Sequence, residues 1–382
     1  MAPEPISPEE ARRRKIVGVN AETVTNVTST DFPGHYPGED HTWSLEKFTE
    51  NFSVQYHKNA PHDAVFSLIG LDASIANAFR RILIAEIPTL AIEQVFVHNN
   101  TSIVHDEVLA ARLGLVPLTA NRSGLNWLKY RRRIPNDDIG DAREEEQKGE
   151  GATDTNTVVL KLQIECKWAE GIKEGETDPN KLYVNSNVYA KHLVFEPQGS
   201  QSKHFPEPDG IVRPVNPDIL LAKLRPGQVI DLEMFAVKGI GADHAKFSPV
   251  APATYRLLPT IDIVSPILGN DAKKFARCFP KGVIGLEYVT EEESDVMGGE
   301  LEGKAGEEKA VVRNTFKDTV SRECLRHDEF KGKVKLGRVR DHFIFSVEST
   351  GQFESDRLFL ESVAILKMKC VRLKRSLANI MK

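Results

Sequence analysis

The chain has 382 residues, 40% hydrophobic and 27% charged, enough for two domains with cores of their own. Basic side chains number 50 and acidic ones 55, and the resulting formal charge of −5 disfavours a chain that grips DNA or RNA by itself. No apolar run reaches bilayer-spanning length, and Glu4, Glu9 and Glu10 stand where a secretory leader or transit peptide would need apolar or basic character.

Residues 1–45 carry Pro3, Pro5, Pro8, Pro33 and Pro37 with little periodicity and read as a poorly ordered arm. The run Arg12 to Lys15 fits a nuclear import patch, and a solvated charge run fits it better. From Phe48 to Tyr56 apolar and polar residues alternate, as in a strand. Asn59, Ala60 and Pro61 make a turn, and Ala64, Phe66 and Leu68 alternate again, which predicts a hairpin.

The stretch 72–88 is the most strongly patterned helix. Ile75, Ala76, Phe79, Ile82, Leu83 and Ile87 fall on one stripe. Asp72 is the expected N-cap and Pro88 the stop. Ile84 lies off the stripe, beside Asn77, Arg80 and Arg81. An ordinary sheet-packing helix with one stray isoleucine accounts for this, as does a helix contacted on two sides.

Residues 104–113 predict a short helix with Asp106 and Glu107 early, Arg112 late and Gly114 as its stop. His98 and His105 with those two acids are too loosely spaced to define a metal site. The basic cluster 129–133 and the acidic run 137–151 read together as a solvated, mobile loop, with phosphate contact by the arginines as the weaker alternative. Residues 157–168 form the clearest strand. Val158, Leu160, Leu162, Ile164, Cys166 and Trp168 are expected on one face, with Val159, Lys161, Gln163, Glu165 and Lys167 on the other. A polar loop at 171–180, a strand at 192–195, a turn-rich 206–217 and a strand at 229–237 complete a β-rich insert over 97–232.

Gly239 and Gly241 form a Gly-x-Gly without the third glycine or following helix of a dinucleotide fingerprint, so nucleotide binding is rejected. Tyr255 to Val264 alternates as a strand, and 268–335 is polar, with an acid-rich loop at 291–308. Cys166, Cys278, Cys324 and Cys370 are too far apart in sequence for a disulfide framework or a zinc knuckle. Asn51-Phe52-Ser53 and Asn99-Asn100-Thr101 match a glycan acceptor pattern that carries no weight without a secretory leader.

After a strand at 342–349, Ser355 or Asp356 is expected to cap a long helix. Phe359, Val363, Leu366, Cys370, Leu373, Leu377 and Ile380 alternate steps of four and three, a heptad-like seam. Lys367, Lys369, Arg372, Lys374 and Arg375 lie off it, where the helix dipole favours cations. The seam fits either the chain's own sheet or a partner helix, and its length favours the partner.

The run Asn77 to Leu83, the run Asp106 to Gly114 and the loop Lys238 to Val250, in that order, resemble the signature of the α-like subunits of multisubunit RNA polymerases, over about residues 45–382. Length and the lack of a zinc loop point within that family to the larger α-like subunit shared by RNA polymerases I and III. The resemblance implies an α+β fold of two lobes: a discontinuous dimerisation domain (46–96 and 233–382, with 268–335 a peripheral elaboration) and the insert between. It implies a non-catalytic assembly subunit that pairs with a smaller α-like subunit and organises the large catalytic and small common subunits for transcription of rRNA, 5S rRNA and tRNA. It touches DNA only through the complex, lies in the nucleus including the nucleolus, and has no membrane role. The loop 238–250 becomes a docking element. Interface residues are expected at Ile75, Phe79, Ile82, Leu83 and Ile84, with Arg80 and Arg81 as orienting charges, and at Phe359, Val363, Leu366, Leu373 and Leu377 on the seam. No cofactor is implied: some archaeal relatives hold an iron–sulfur cluster in the region matching 268–335, and Cys278 and Cys324 alone cannot supply its thiolates.

Two further function classes stay open to the sequence. An enzyme would need a catalytic pattern, and no Gly-x-Ser-x-Gly, His-Glu-x-x-His or Walker A stretch occurs. A scaffold or adaptor that contacts nucleic acid directly has only the 129–133 cluster in its favour.

Overall fold

The computed structural model describes residues 7–27, 42–131, 151–171, 177–208, 210–296 and 299–381. The expectations for 28–41, for Arg132, Arg133 and most of the acidic run, and for parts of the loops at 171–180 and 291–308 lie outside the described residues. The chain divides into two units: Met1–His57, Val65–Asn77 and Tyr255–Phe345 form one, and Lys58–Ala64, Ala78–Thr254 and Ser346–Lys382 the other.

The first unit is built on a sheet whose long strand Val334–Ser349 is paired on several neighbours. The path runs Val24–Thr25, Ile16–Val19, Val334–Ser349, Asp63–Ile69, Ser53–Ala60, and Val250–Ile263 also pairs the long strand. Phe66 stacks on Phe345 with centroids 5.4 Å apart, and Tyr255 sits edge-on to Phe343. Gly70 has φ +77° and a Cβ there would meet the Asn51 carbonyl, so the turn into the next helix requires glycine.

Several expectations change here. The supposed arm is partly folded: Pro8–Lys15 is a helix and Ile16–Val19 pairs antiparallel with the long strand, Ile16 opposite Val339. Its basic run is largely exposed, as a solvated charge run should be, and ion pairs tie it to the fold. Arg12 pairs with Asp262 at 2.9 Å and Lys15 with Asp341 at 2.8 Å, while Arg13 and Arg14 reach Glu10. Phe48 belongs to a helix, Leu45–Asn51, and the strand begins only at Ser53. That strand, at the sheet's edge, leaves Val54 and Tyr56 exposed. The polar region 268–335 encloses a core of Phe275, Phe279, Val283, Cys324 and Phe330, under helix Gly269–Arg277 and the hairpin Ile284–Tyr288 with Glu308–Val312. Burial pushes the Cys324 thiol up to about 12, so it stays protonated and inert.

Ser67 is fully buried in this unit, and its hydroxyl meets His57 Nε2 at 2.7 Å and His342 Nε2 at 2.9 Å. Burial lowers the His342 pKa, the neighbouring Asp341 opposes this, and the His57 charge lowers it further. A histidine whose folded pKa is depressed is stabilising above its unfolded value, and that contribution is lost as pH falls below about 6.5. We expect the melting temperature to drop between pH 7 and 5 and His342→Gln to flatten that slope. An unchanged slope in thermal melts across this range would contradict the assignment.

The second unit holds a four-stranded antiparallel sheet in the order Val194–Glu196, Thr157–Glu165, Val229–Gly239, Thr89–Asn100. Val158, Leu160, Leu162 and Ile164 are buried as the alternation predicts, against Leu232, Met234, Leu109 and Leu113. Trp168 departs from that face: the chain leaves the sheet after Glu165, and Trp168 is exposed, edge-on to Tyr183. The strands Thr89–Asn100 and Val229–Gly239 pair through the positions, 96/97 and 232/233, where the sequence suggested a lobe boundary. The backbone is continuous across both, so the insert grows out of shared strands and does not begin at a linker. Helix Asp106–Gly114 buries Leu109 and Leu113 on this core.

Candidate assembly interface

Two helices carry the interface residues expected from sequence. The first, Ala73–Ala85, starts where predicted. Asp72 Oδ1 accepts from the Ser74 hydroxyl and from the Ser74 backbone N–H, the latter at 2.8 Å, and the hydroxyl first and the N–H second hold the Asp72 carboxyl below its ordinary range. The helix stops three residues before Pro88. Its last residues are held by the loop after Gly239: the Ala242 N–H donates to the Ala85 carbonyl at 2.9 Å, and a Cβ on Gly241 would run into the Ile84 carbonyl. Lys246 in the same loop donates to the Ile92 carbonyl at 2.7 Å and pairs with Glu93 at 2.5 Å. The loop expected to dock on other subunits is thereby anchored to the helix and the strand of its own chain.

The second helix, Ser355–Ile380, has Glu354 at its N-cap position, one residue earlier than expected and without a side-chain cap bond, and Ser355 is buried with its hydroxyl donating to the Pro61 carbonyl. Phe79 and Phe359 meet edge-on with centroids 5.4 Å apart. Glu86 pairs with Lys369, and Glu361 with Arg122. The buried residues of the long helix end at Ser362, and beyond them the Lys369–Glu86 pair ties its middle to this chain.

The expected residues separate accordingly. Phe79, Ile82, Leu83 and Phe359 are buried in this chain's own core, which leaves them little surface to offer a partner. The apolar stripe alone could not distinguish the two. Arg80 and Leu366 are half-buried, and Arg81 is exposed. Ile75 and Ile84, on opposite helix faces, are 39% and 36% exposed. Val363, Leu373 and Leu377 are exposed, the last two by 67% and 53%. Every residue from Lys367 to Met381 is exposed, so the seam through Cys370, Leu373, Leu377 and Ile380 leaves the chain's own core uncovered on all sides. The seam therefore does not pack on this chain's sheet.

Apolar exposure on this helix is not confined to the seam. Met368 and Val371 are exposed on the side of the long helix away from it, and Leu360 is exposed directly beside the seam residue Phe359. A step of three brings Met368 and Val371 to one face, a signal too short to stand out beside the more regular seam. An apolar helix surface uncovered along two faces is unfavourable in water and marks a binding surface. No helix among the described residues is long and apolar enough to cross a membrane.

Residues 65–370 match the model of the RNA polymerase Rpb3/Rpb11 dimerisation domain. The chain is 48% identical to the DNA-directed RNA polymerases I and III subunit RPAC1 of Saccharomyces cerevisiae, covering 94% of this chain and 97% of that protein. Its identity to the human subunit of the same name is 45%, over 95% of each. Similarity to subunit 3 of RNA polymerases II, IV and V of Arabidopsis thaliana is lower, 30% over 80% of this chain. The matched domain takes in the first helix and the long helix as far as Cys370, and the likeness to the subunits shared by two polymerases runs nearly end to end: the chain belongs to the α-like RNA polymerase subunits, in the branch of the larger α-like subunit shared by RNA polymerases I and III.

Proposed function

We propose that this chain is the non-catalytic assembly subunit of DNA-directed RNA polymerases I and III. It pairs with a smaller α-like subunit, and the pair forms the platform on which the large catalytic and small common subunits gather for transcription of rRNA, 5S rRNA and tRNA, in the nucleus and nucleolus. The assembly domain is made of the two distant segments 46–96 and 233–382, with the insert set within it. The observation that carries this reading is the uncovered half of the long helix, with Ile75 and Ile84 as exposed apolar positions on the other helix. Burying apolar surface contributes about 25 cal/mol per Å², and no covering element comes from the described residues of this chain. The matched dimerisation domain supports the same reading.

Native mass measurement of the purified chain, alone and after co-expression with the smaller α-like subunit, tests it. The expected result is a one-to-one pair that survives purification. A chain that stays monomeric beside that subunit would overturn the proposal.

A further inference from the structure

We propose that the uncovered half of the long helix chooses its partner by charge: it accepts a helix with acidic flanks and rejects a second copy of this chain. The inference rests on the pairing reading above and adds what the partner's helix must be. In a heptad helix the residues immediately beside the seam set partner choice through their charges. Here those positions are Lys367, directly after Leu366, Lys374, directly after Leu373, and Lys369, directly before Cys370. Lys367, Lys369 and Lys374 are all exposed. Arg372 and Arg375 add to the same sign, and no acidic residue occurs after Glu361.

The helix does carry acids, Asp356 and Glu361, but only in its first half. That half is fixed on this chain: Leu358, Phe359 and Ser362 are buried and Glu361 is paired with Arg122. A second copy could therefore bring only its own basic half to the seam, parallel or antiparallel, and lysines would face lysines. Like charges at facing flank positions oppose association, while an Asp or Glu opposite Lys367 and Lys374 favours it. The alternative reader of five clustered cations is a nucleic-acid backbone. Phosphates would neutralise the lysines but leave Leu373, Leu377 and Ile380 in water, so the alternation of seam and cation fits an amphipathic acidic helix better.

The test uses the full chain with Lys367→Glu/Lys374→Glu; Lys369 is left alone because it pairs with Glu86. Both sites are exposed, so the variant should melt with the unaltered chain, and Lys367→Gln/Lys374→Gln provides a neutral form. In 50 mM salt we expect affinity for the smaller α-like subunit to fall about tenfold, the neutral form to lie between, and the difference to shrink in 500 mM salt as screening shortens the field. The most specific expectation is that the reversed chain and the unaltered chain, mixed, form a one-to-one pair that neither forms alone, read by sedimentation. Unchanged affinity with no mixed pair would overturn the charge rule while leaving the heterodimer standing. Self-pairing of the unaltered chain in low salt would also overturn it. Salt-sensitive binding of a DNA duplex that the reversal abolishes, with pairing untouched, would assign the cations to nucleic acid instead. Failure of the unaltered chain to pair with the smaller subunit would instead sink the function on which the rule rests.

Discussion

Leu373→Asp combined with Leu377→Asp is expected to abolish pairing with the smaller α-like subunit without unfolding the chain. Both side chains are largely exposed, and both lie on a helix half that touches nothing in its own core. In the lone chain the substitution therefore removes no packing. In the pair each leucine would be covered, and burying a leucine contributes about 1.5–3 kcal/mol. Two such losses come to at least about 3 kcal/mol, or roughly a hundredfold in affinity, before the cost of desolvating two carboxylates is added. Titration of the variant with the smaller subunit measures the first part, and the melting temperature of the lone chain measures the second. Unchanged affinity would show that the seam is not the interface. A lowered melting temperature would show that the seam packs on this chain after all.

Phe79→Asp has the opposite signature. The sequence alone suggests that a charge here, on a buried stripe, breaks the pairing. The structure places Phe79 against Phe359 at 5.4 Å with 8% of its surface exposed, so the damage falls first on the chain itself. Truncating a buried phenylalanine to alanine costs about 3–5 kcal/mol, and an unpaired carboxylate in the same place costs more. The lone chain should melt on the order of 10 °C lower, and loss of pairing should follow from loss of the helix–helix seat. Phe79→Leu, which keeps most of the volume, should retain both. If Phe79→Asp left the melting temperature intact and removed only pairing, Phe79 would have to be an interface anchor as the sequence suggested.

The contrast between these substitutions marks what could be read from the sequence. Periodicity located the helices and the strand Thr157–Glu165, because a stripe or an alternation is a local property of the chain. Whether a stripe is covered by its own chain or left open is not local. Phe359 and Leu373 occupy equivalent seam positions, and only the fold reveals that one is buried and the other bare. Ile16–Val19 gave no signal because four residues are too few to show a period, and their strand character comes from pairing with Val334–Ser349. Phe275, Phe279 and Phe330 are scattered through a polar stretch, so composition hid the core they make. The α-like resemblance rested on three separated runs. One of them, the loop after Gly239, owes its glycines to close contacts with Ile84 and Phe247 within this chain.

The bare half-helix from Lys367 onward also bears on supply. It is held only from the anchored first turns and by the Lys369–Glu86 pair, so in an orphan copy it is the part of the helix expected to open most readily, showing sticky, cationic backbone. Chaperones and proteases act on such segments, and occupancy by a mate removes the signal. On the proposed pairing, the surface that joins the two proteins would also meter them, since copies made in excess would be left with a segment that invites their removal.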